Sequence, residues 1–181
     1  VGALTDITER VATEASRQSK EARLLKQRDA LAEFIEGTTD AEDLEGTIRR
    51  LLETAAKTLG VARVSVWRYT SGRSAIRCED LYELEADRHS SGLELPAASY
   101  PAYFLALEKG EVIAAEHAQE DARTAEFAEG YLQPLGITSM LDAPIHVAGI
   151  GQGVLCHEHV GAPRGWTSDE QTFAIAVANR V

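Results

Sequence analysis

Apolar residues fall at helical spacing in the first third of the chain and in short, strand-length runs after it. Glu9 to Glu36 contains no Gly or Pro and is dense in Ala, Glu, Lys, Arg and Leu, which predicts one long helix. Along it, Val11, Ala15, Gln18, Ala22 and Leu25 follow 4-3-4-3 spacing, and Leu24, Arg28, Leu31 and Ile35 continue in a shifted frame. A seam that is part polar and frame-shifted suits a helix that pairs with a second copy, or one that docks on its own domain. Gly37 to Asp40 breaks the pattern, with Thr39 or Asp40 available as an N-cap. Leu44, Ile48, Leu51, Leu52, Ala55 and Leu59 then mark an amphipathic helix that ends at Gly60.

Strand-length runs follow at Val61–Tyr69 and Ala75–Tyr82, joined by a turn at Thr70–Arg73. Glu83 to Leu95 is polar and reads as a mobile excursion. Ser99 can cap a helix that carries Pro101 in its first turn and closes at Gly110. Val112–Ala115 reads as a short strand, and a further helix is expected from Asp121 until Pro134 and Gly136 stop it. Met140–Val147 and Val154–Val160 are strands joined by Ala148-Gly149-Ile150-Gly151. Thr167-Ser168-Asp169-Glu170 is a capping box, and Phe173, Ala174, Val177, Ala178 and Val181 continue an apolar stripe. The order α-β-β-α-β-α-β-β-α, with hairpins at both ends, predicts an α+β three-layer sandwich around an antiparallel sheet.

Composition changes this picture only at its margins. Residues 1–36 carry six basic and seven acidic side chains, so nearly all of the net charge of −11 belongs to the remainder. A globular part this acidic repels a phosphate backbone, which argues against nucleic acid as a partner. No apolar run is long enough for a membrane span, so direct membrane insertion is not expected. Cys78 and Cys156 lie far apart without CxxC spacing, which points away from a disulfide framework or structural zinc and towards a reducing cytoplasm.

Several segments resemble known modules. ARVSVWRY, PASYPAYFLAL, YLQPLGITSMLDAPI and GVLCHEHVG occur in the order found in GAF domains, over about residues 38–181. Val1 to Arg10, with Asp6-Ile7-Thr8, resembles the last strand of a PAS domain ending in its DIT motif, with Asp6 or Thr8 capping the helix that follows. The resemblance implies three parts: a PAS end at residues 1–8, a linker or signalling helix at 9–36, and a GAF domain at 38–181. It implies a central sheet of five or six strands with helices on both faces. Outer helices cover one side, and a small-molecule pocket lies on the other. The first and last residues, Val1 and Val181, suggest a fragment of a longer protein.

Strand alternation sorts the candidate pocket residues. Val64 and Val66 face one way; Ser65, Trp67 and Tyr69 face the other. The resemblance to bilin-binding GAF domains places Trp67, Met140, Asp142, Cys156 and Glu158 on the pocket side. Tyr103, Phe104, Phe127 and Tyr131 are candidate walls from the middle helices, with ordinary core packing as the alternative for each aromatic. The expected cavity holds on the order of a few hundred cubic ångströms and is bounded by Trp67, Met140, Cys156 and those helices. Its acids, Asp142 and Glu158, favour a cationic or hydrogen-bond-donating ligand.

Specialised chemistries find little support. His157 and His159 share a strand face and could grip a metal, but Cys156 and Glu158 point the other way, so structural hydrogen bonding is the favoured role and no metal site is expected. Phe127 stands where bilin-linking GAF domains carry Cys, so covalent bilin attachment there is not expected. No NKFDE-type motif for cyclic nucleotides is present, and no His stands out for haem. No GxSxG, P-loop or HExxH occurs, and no catalytic residue is assigned. Two cysteines are too few for a methionine-sulfoxide reductase on this fold. The expected role is a sensory module of a histidine kinase or diguanylate cyclase, binding an unidentified small ligand and forming a homodimer through its N- and C-terminal helices. The alternative is a ligand-free dimerisation and relay module.

Overall fold

The backbone ladder of the final hairpin sets the frame of this molecule. In the computed structural model, which describes residues 2–36 and 43–181, β6 (Ile137–Val147) and β7 (Ile150–Val160) pair antiparallel along nearly their full length. The turn between them is only Ala148-Gly149, with φ of 50° and 78°. Two consecutive positive φ values give the twist of a type I′ turn, so both strands run longer than their apolar segments alone predict. β1 (Arg63–Tyr69) lies on the other side of β7 and also pairs with β2 (Ala75–Glu83). A side chain at Gly153 would meet the Trp67 carbonyl oxygen at 1.9 Å, so β1 closes on β7 only because that position lacks a Cβ.

Three short strands complete the antiparallel sheet. β3 (Arg88–Ser90) and β4 (Glu94–Pro96) pair with β2, and β5 (Ile113–Ala115) pairs with β6. The order is β3-β2-β1-β7-β6-β5, with β4 beside β3 on β2. The polar segment Glu83–Leu95 is therefore sheet edge rather than a mobile excursion. Its strands are three residues long and mostly exposed, so main-chain pairing holds them where no side-chain alternation could reveal them.

Three helices cover one face. α2 (Leu44–Leu59) starts at Asp43, whose carboxylate accepts from Gly46 N at 2.8 Å; Thr39 and Asp40 lie outside the described residues. Gly60, at φ 62°, ends the helix in the left-handed conformation that costs glycine least. α4 (Ser168–Ala178) carries the expected capping box: Thr167 N donates to Glu170 Oε2 at 2.8 Å, and Glu170 N donates to Thr167 Oγ1 at 3.3 Å. Leu52, Ala55, Val64, Val66, Leu141, Leu155, Phe173 and Val177 form the core beneath this layer.

α1 (Gly2–Glu36) is helical through Asp6-Ile7-Thr8, where a PAS-like strand and cap were expected. The segment has no helix breaker after Gly2, and the helix runs from that residue. Its described side chains divide into two stretches. Val11 is 63% exposed and the positions up to Ala22 are solvated, whereas Gln27 and Ala30 are buried and Leu31 and Phe34 pack on the helix-side core. Arg23 reaches Asp169 of α4 at 3.6 Å, and Lys26 Nζ donates to the Lys57 carbonyl of α2. The shift in heptad frame thus coincides with the change from a solvated to a docked helix.

The opposite face carries α3 (Pro101–Glu108) and the segment after it. α3 is capped by Tyr100 rather than Ser99, with no side-chain cap of its own. The Glu126 carboxylate, far along the chain, accepts from Ala102 N at 3.0 Å and Tyr103 N at 3.3 Å instead. The helix expected from Asp121 is a 3-10 turn at Ala125–Phe127 followed by one π turn at Ala128–Leu132. π turns cluster at functional sites because they redirect a single side chain. Among the described residues, no helix is long and apolar enough to cross a membrane.

Candidate functional site

Alternation along β1, β6 and β7 gathers one polar set beneath α3. Asp142 pairs with Cys156 across β6 and β7, Met140 with Glu158, and Ser65 with Cys156 across β1 and β7. All of these face away from the three-helix layer, while Val64, Val66 and Leu155 face it. Asp142 is 1% exposed and Glu158 2%.

Each group is held differently. Tyr103 OH donates to Asp142 Oδ2 at 2.7 Å and lies 3.6 Å from Cys156 Sγ. Asp142 Oδ1 has no protein partner. Burial pushes the Asp142 carboxyl up to about 7, opposed by the Tyr103 hydrogen bond and reinforced by Glu158. Burial also raises Glu158, against the lowering effect of Arg63. The Arg63 guanidinium approaches Glu158 Oε2 to 3.3 Å without hydrogen-bond alignment, leaving Arg63 Nε and Nη1 and Glu158 Oε2 without hydrogen-bonded partners. Arg63 sits over the Tyr131 ring at 5.5 Å, and the Tyr131 hydroxyl is unpaired too. Burial, then the charge of Asp142, drives the Cys156 thiol far above its usual range, so it is a neutral thiol rather than a nucleophile.

These side chains surround a cavity of about 20 Å³, not the few hundred expected. Trp67, Tyr103, Phe127, Tyr131, Met140, Cys156 and Glu158 line it, with Ile76 and Leu95. The aromatics fill the predicted volume themselves: Phe127 meets Tyr103 edge-on at 4.8 Å and stacks on Tyr100 at 4.3 Å. Asp142 lies behind Tyr103 and Cys156. Ser65 Oγ accepts from Trp67 Nε1 at 2.8 Å and so fixes the indole. Phe104 and Tyr69 belong to the surrounding core, not the cavity wall; Tyr69 packs edge-on to Phe104 and under Arg73.

A cleft of about 280 Å³ lies beyond Trp67 and Tyr131, which line both spaces. Arg63, Cys78, Leu81, Arg88 and Leu93 are among its other walls. Sequence reasoning missed Arg63, Leu81, Leu93 and Leu95. Arg63 begins β1 in the Arg63–Glu158 register, and that cross-strand pairing has no local signal.

The histidines lie elsewhere. His157 is fully buried towards the helices, and its Nδ1–H donates to the Leu141 carbonyl at 2.8 Å. Burial depresses it to about 4, so it is neutral at physiological pH. No group of three or more metal-ligating side chains converges among the described residues.

Known structures share this architecture. The GAF domain of an Acinetobacter phosphoenolpyruvate-protein phosphotransferase is 15% identical, covers 85% of this chain and 89% of its own, and superposes with a TM-score of 0.68. A phycocyanobilin-bound GAF domain from a cyanobacterial phytochrome is 19% identical, with coverages of 85% and 90% and a TM-score of 0.69. The GAF domain of a phosphoenolpyruvate-protein phosphotransferase from Coxiella burnetii is 15% identical, with coverages of 86% and 90% and a TM-score of 0.66. At these identities the likeness establishes the fold alone. Among curated proteins, none matches the chain. The GAF domain family matches residues 43–181, from the cap of α2 to the end of α4, and the chain belongs to that family of sensory and regulatory modules.

Proposed function

We propose that this GAF domain is the sensory module of a signal-transduction protein, of the histidine kinase or diguanylate cyclase type, working in the cytoplasm. It binds a small ligand on the Trp67 face of the sheet and relays occupancy through the helices on the opposite face. The observation that carries this reading is the set of unpaired polar atoms, Asp142 Oδ1, Glu158 Oε2 and Tyr131 OH, buried around a cavity that adjoins a larger cleft. Burying such groups without partners costs about 1–3 kcal/mol each, which a packed core avoids unless function requires it.

A relay route follows from the sheet. β6 and β7 carry Asp142 and Glu158 on one face and Leu141, Ala143 and Leu155 on the other, beneath the helices. α4 packs on β6 and reaches α1 through the Arg23–Asp169 contact. The solvated stretch Glu9–Ala22 supports pairing of two copies along α1. A ligand-free relay is the second reading, favoured by the small volume of the inner cavity.

Native mass spectrometry with a UV–visible scan of freshly purified protein, followed by a metabolite screen on Trp67 fluorescence, tests the choice. A co-purifying mass, or a saturable Trp67 response, supports sensing. A bare chain mass with no response across the screen transfers the assignment to the relay.

A further inference from the structure

The charges around the inner cavity select a kind of ligand, an inference that rests on the pocket reading above. Asp142 and Glu158 occupy one face of adjacent strands, offset diagonally by two residues, since Asp142 pairs with Cys156 and Glu158 with Met140. Each has a carboxylate oxygen with no hydrogen-bonded partner, and both side chains are almost wholly buried. Arg63 is the ion-pair partner of Glu158 in this site, and its approach is misaligned. Once both carboxylates are ionised, the one guanidinium leaves one negative charge without a matching cation. Arg123, the other cation near Asp142, is committed to Asp121, with Nη2 to Oδ2 at 2.7 Å.

The approach to the site is of different chemistry. The cleft beyond Trp67 and Tyr131 offers Leu81, Leu93 and the indole face. The Tyr131 hydroxyl interacts with Glu158 without hydrogen-bond alignment, and its ring belongs to a π turn that sets its direction. Displacing that ring joins the cleft to the inner cavity, together roughly 300 Å³, the lower end of the range for small-molecule sites. The geometry points to a primary ammonium ligand on a compact apolar body, its head taken up by Glu158 in the inner cavity with the charge of Asp142 behind the Tyr103–Cys156 wall, and its body by the Trp67–Leu93 cleft, with Tyr131 as the side chain that moves.

Proton linkage gives the site a recognisable signature. Asp142 is surrounded by Tyr103 OH from α3, Cys156 and Glu158 from β7, and Arg123 from the loop before the π turn. Its raised carboxyl, at about 7, must lose its proton to hold a cation. Affinity for an ammonium therefore falls as pH drops below about 7, by up to about tenfold per unit.

Three probes that share one apolar body test this: cyclohexylmethylammonium, cyclohexylmethanol and cyclohexanecarboxylate. The reporter is Trp67 fluorescence in a Trp166→Phe background, Trp166 being the other tryptophan of the chain and lying on the helix side. The expected result at pH 8 is a saturable response to the ammonium with at least tenfold higher affinity than to the alcohol or the carboxylate. Glu158→Gln and Asp142→Asn, each confirmed folded by thermal melting, weaken the ammonium at least tenfold and leave the alcohol unchanged. Lowering the pH to 6 weakens the ammonium alone. A response to alcohol or carboxylate that equals or exceeds the ammonium overturns the charge assignment while the pocket stands. No response to any of the three overturns both.

Discussion

Replacing Asp142 by Asn tests the electrostatics of the buried face through stability rather than binding. In the folded chain the carboxyl titrates at about 7, against a reference of 3.8. The folded state therefore holds a proton that the unfolded state releases across that window. The contribution of Asp142 to stability must fall as pH rises from about 4 to 7, and level off above it. A shift of this size makes burial of Asp142 a liability of at most about 4 kcal/mol at pH 8, and about 2 kcal/mol at pH 5, where the folded carboxyl keeps its proton. Asn still accepts from Tyr103 OH through its carbonyl, but its amide N–H groups face a site with no acceptor paired to them, which costs about 1–3 kcal/mol at any pH. The absolute difference between variant and wild type therefore mixes two effects, while its pH dependence isolates one. Urea unfolding of both proteins should show the Asp142→Asn variant gaining about 2–3 kcal/mol relative to wild type between pH 5 and pH 8. A difference that stays constant across that range would mean Asp142 ionises normally in the fold, and the desolvated-carboxylate argument would fail.

Two further outcomes follow. Leu52, on α2, is fully buried in the helix-side core, so Leu52→Ala should cost about 2–4 kcal/mol, read as a lowered urea midpoint with unchanged slope; unchanged stability would refute its place there. Deleting residues 1–22 removes the solvated half of α1 and leaves the docked half, so light scattering should show a shift from dimer to monomer at micromolar concentration while the melting temperature holds; a persisting dimer would move the interface to other helices.

The site was legible in its faces and illegible in its volume. Val64 and Val66 against Ser65 and Trp67 follow from a period of two, and the structure keeps that division on both sides of the sheet. The Thr167–Glu170 capping box is a contact between residues three apart, so four letters suffice to specify it. The Asp43 cap of α2, one turn from Thr39 and Asp40, shows the ordinary slippage of an end signal shared by several polar residues.

What lay beyond the sequence depended on distant partners. Glu126 caps α3 from more than twenty residues away, so Ser99 only looked like the cap. β3 and β4 exist because β2 offers a free edge. The π turn at Ala128–Leu132 replaces an α-helix in a segment that places Phe127 and Tyr131 over Tyr103 and Glu158. Whether aromatic residues wall a cavity or fill it depends on how every ring packs at once, and periodicity carries no such information. The sequence by itself determined which face of the sheet each strand residue takes, because alternation and capping are local; only the tertiary structure decided that Trp67 and Tyr131 stand between a 20 Å³ void and a 280 Å³ cleft, because volume is a property of the whole packed layer.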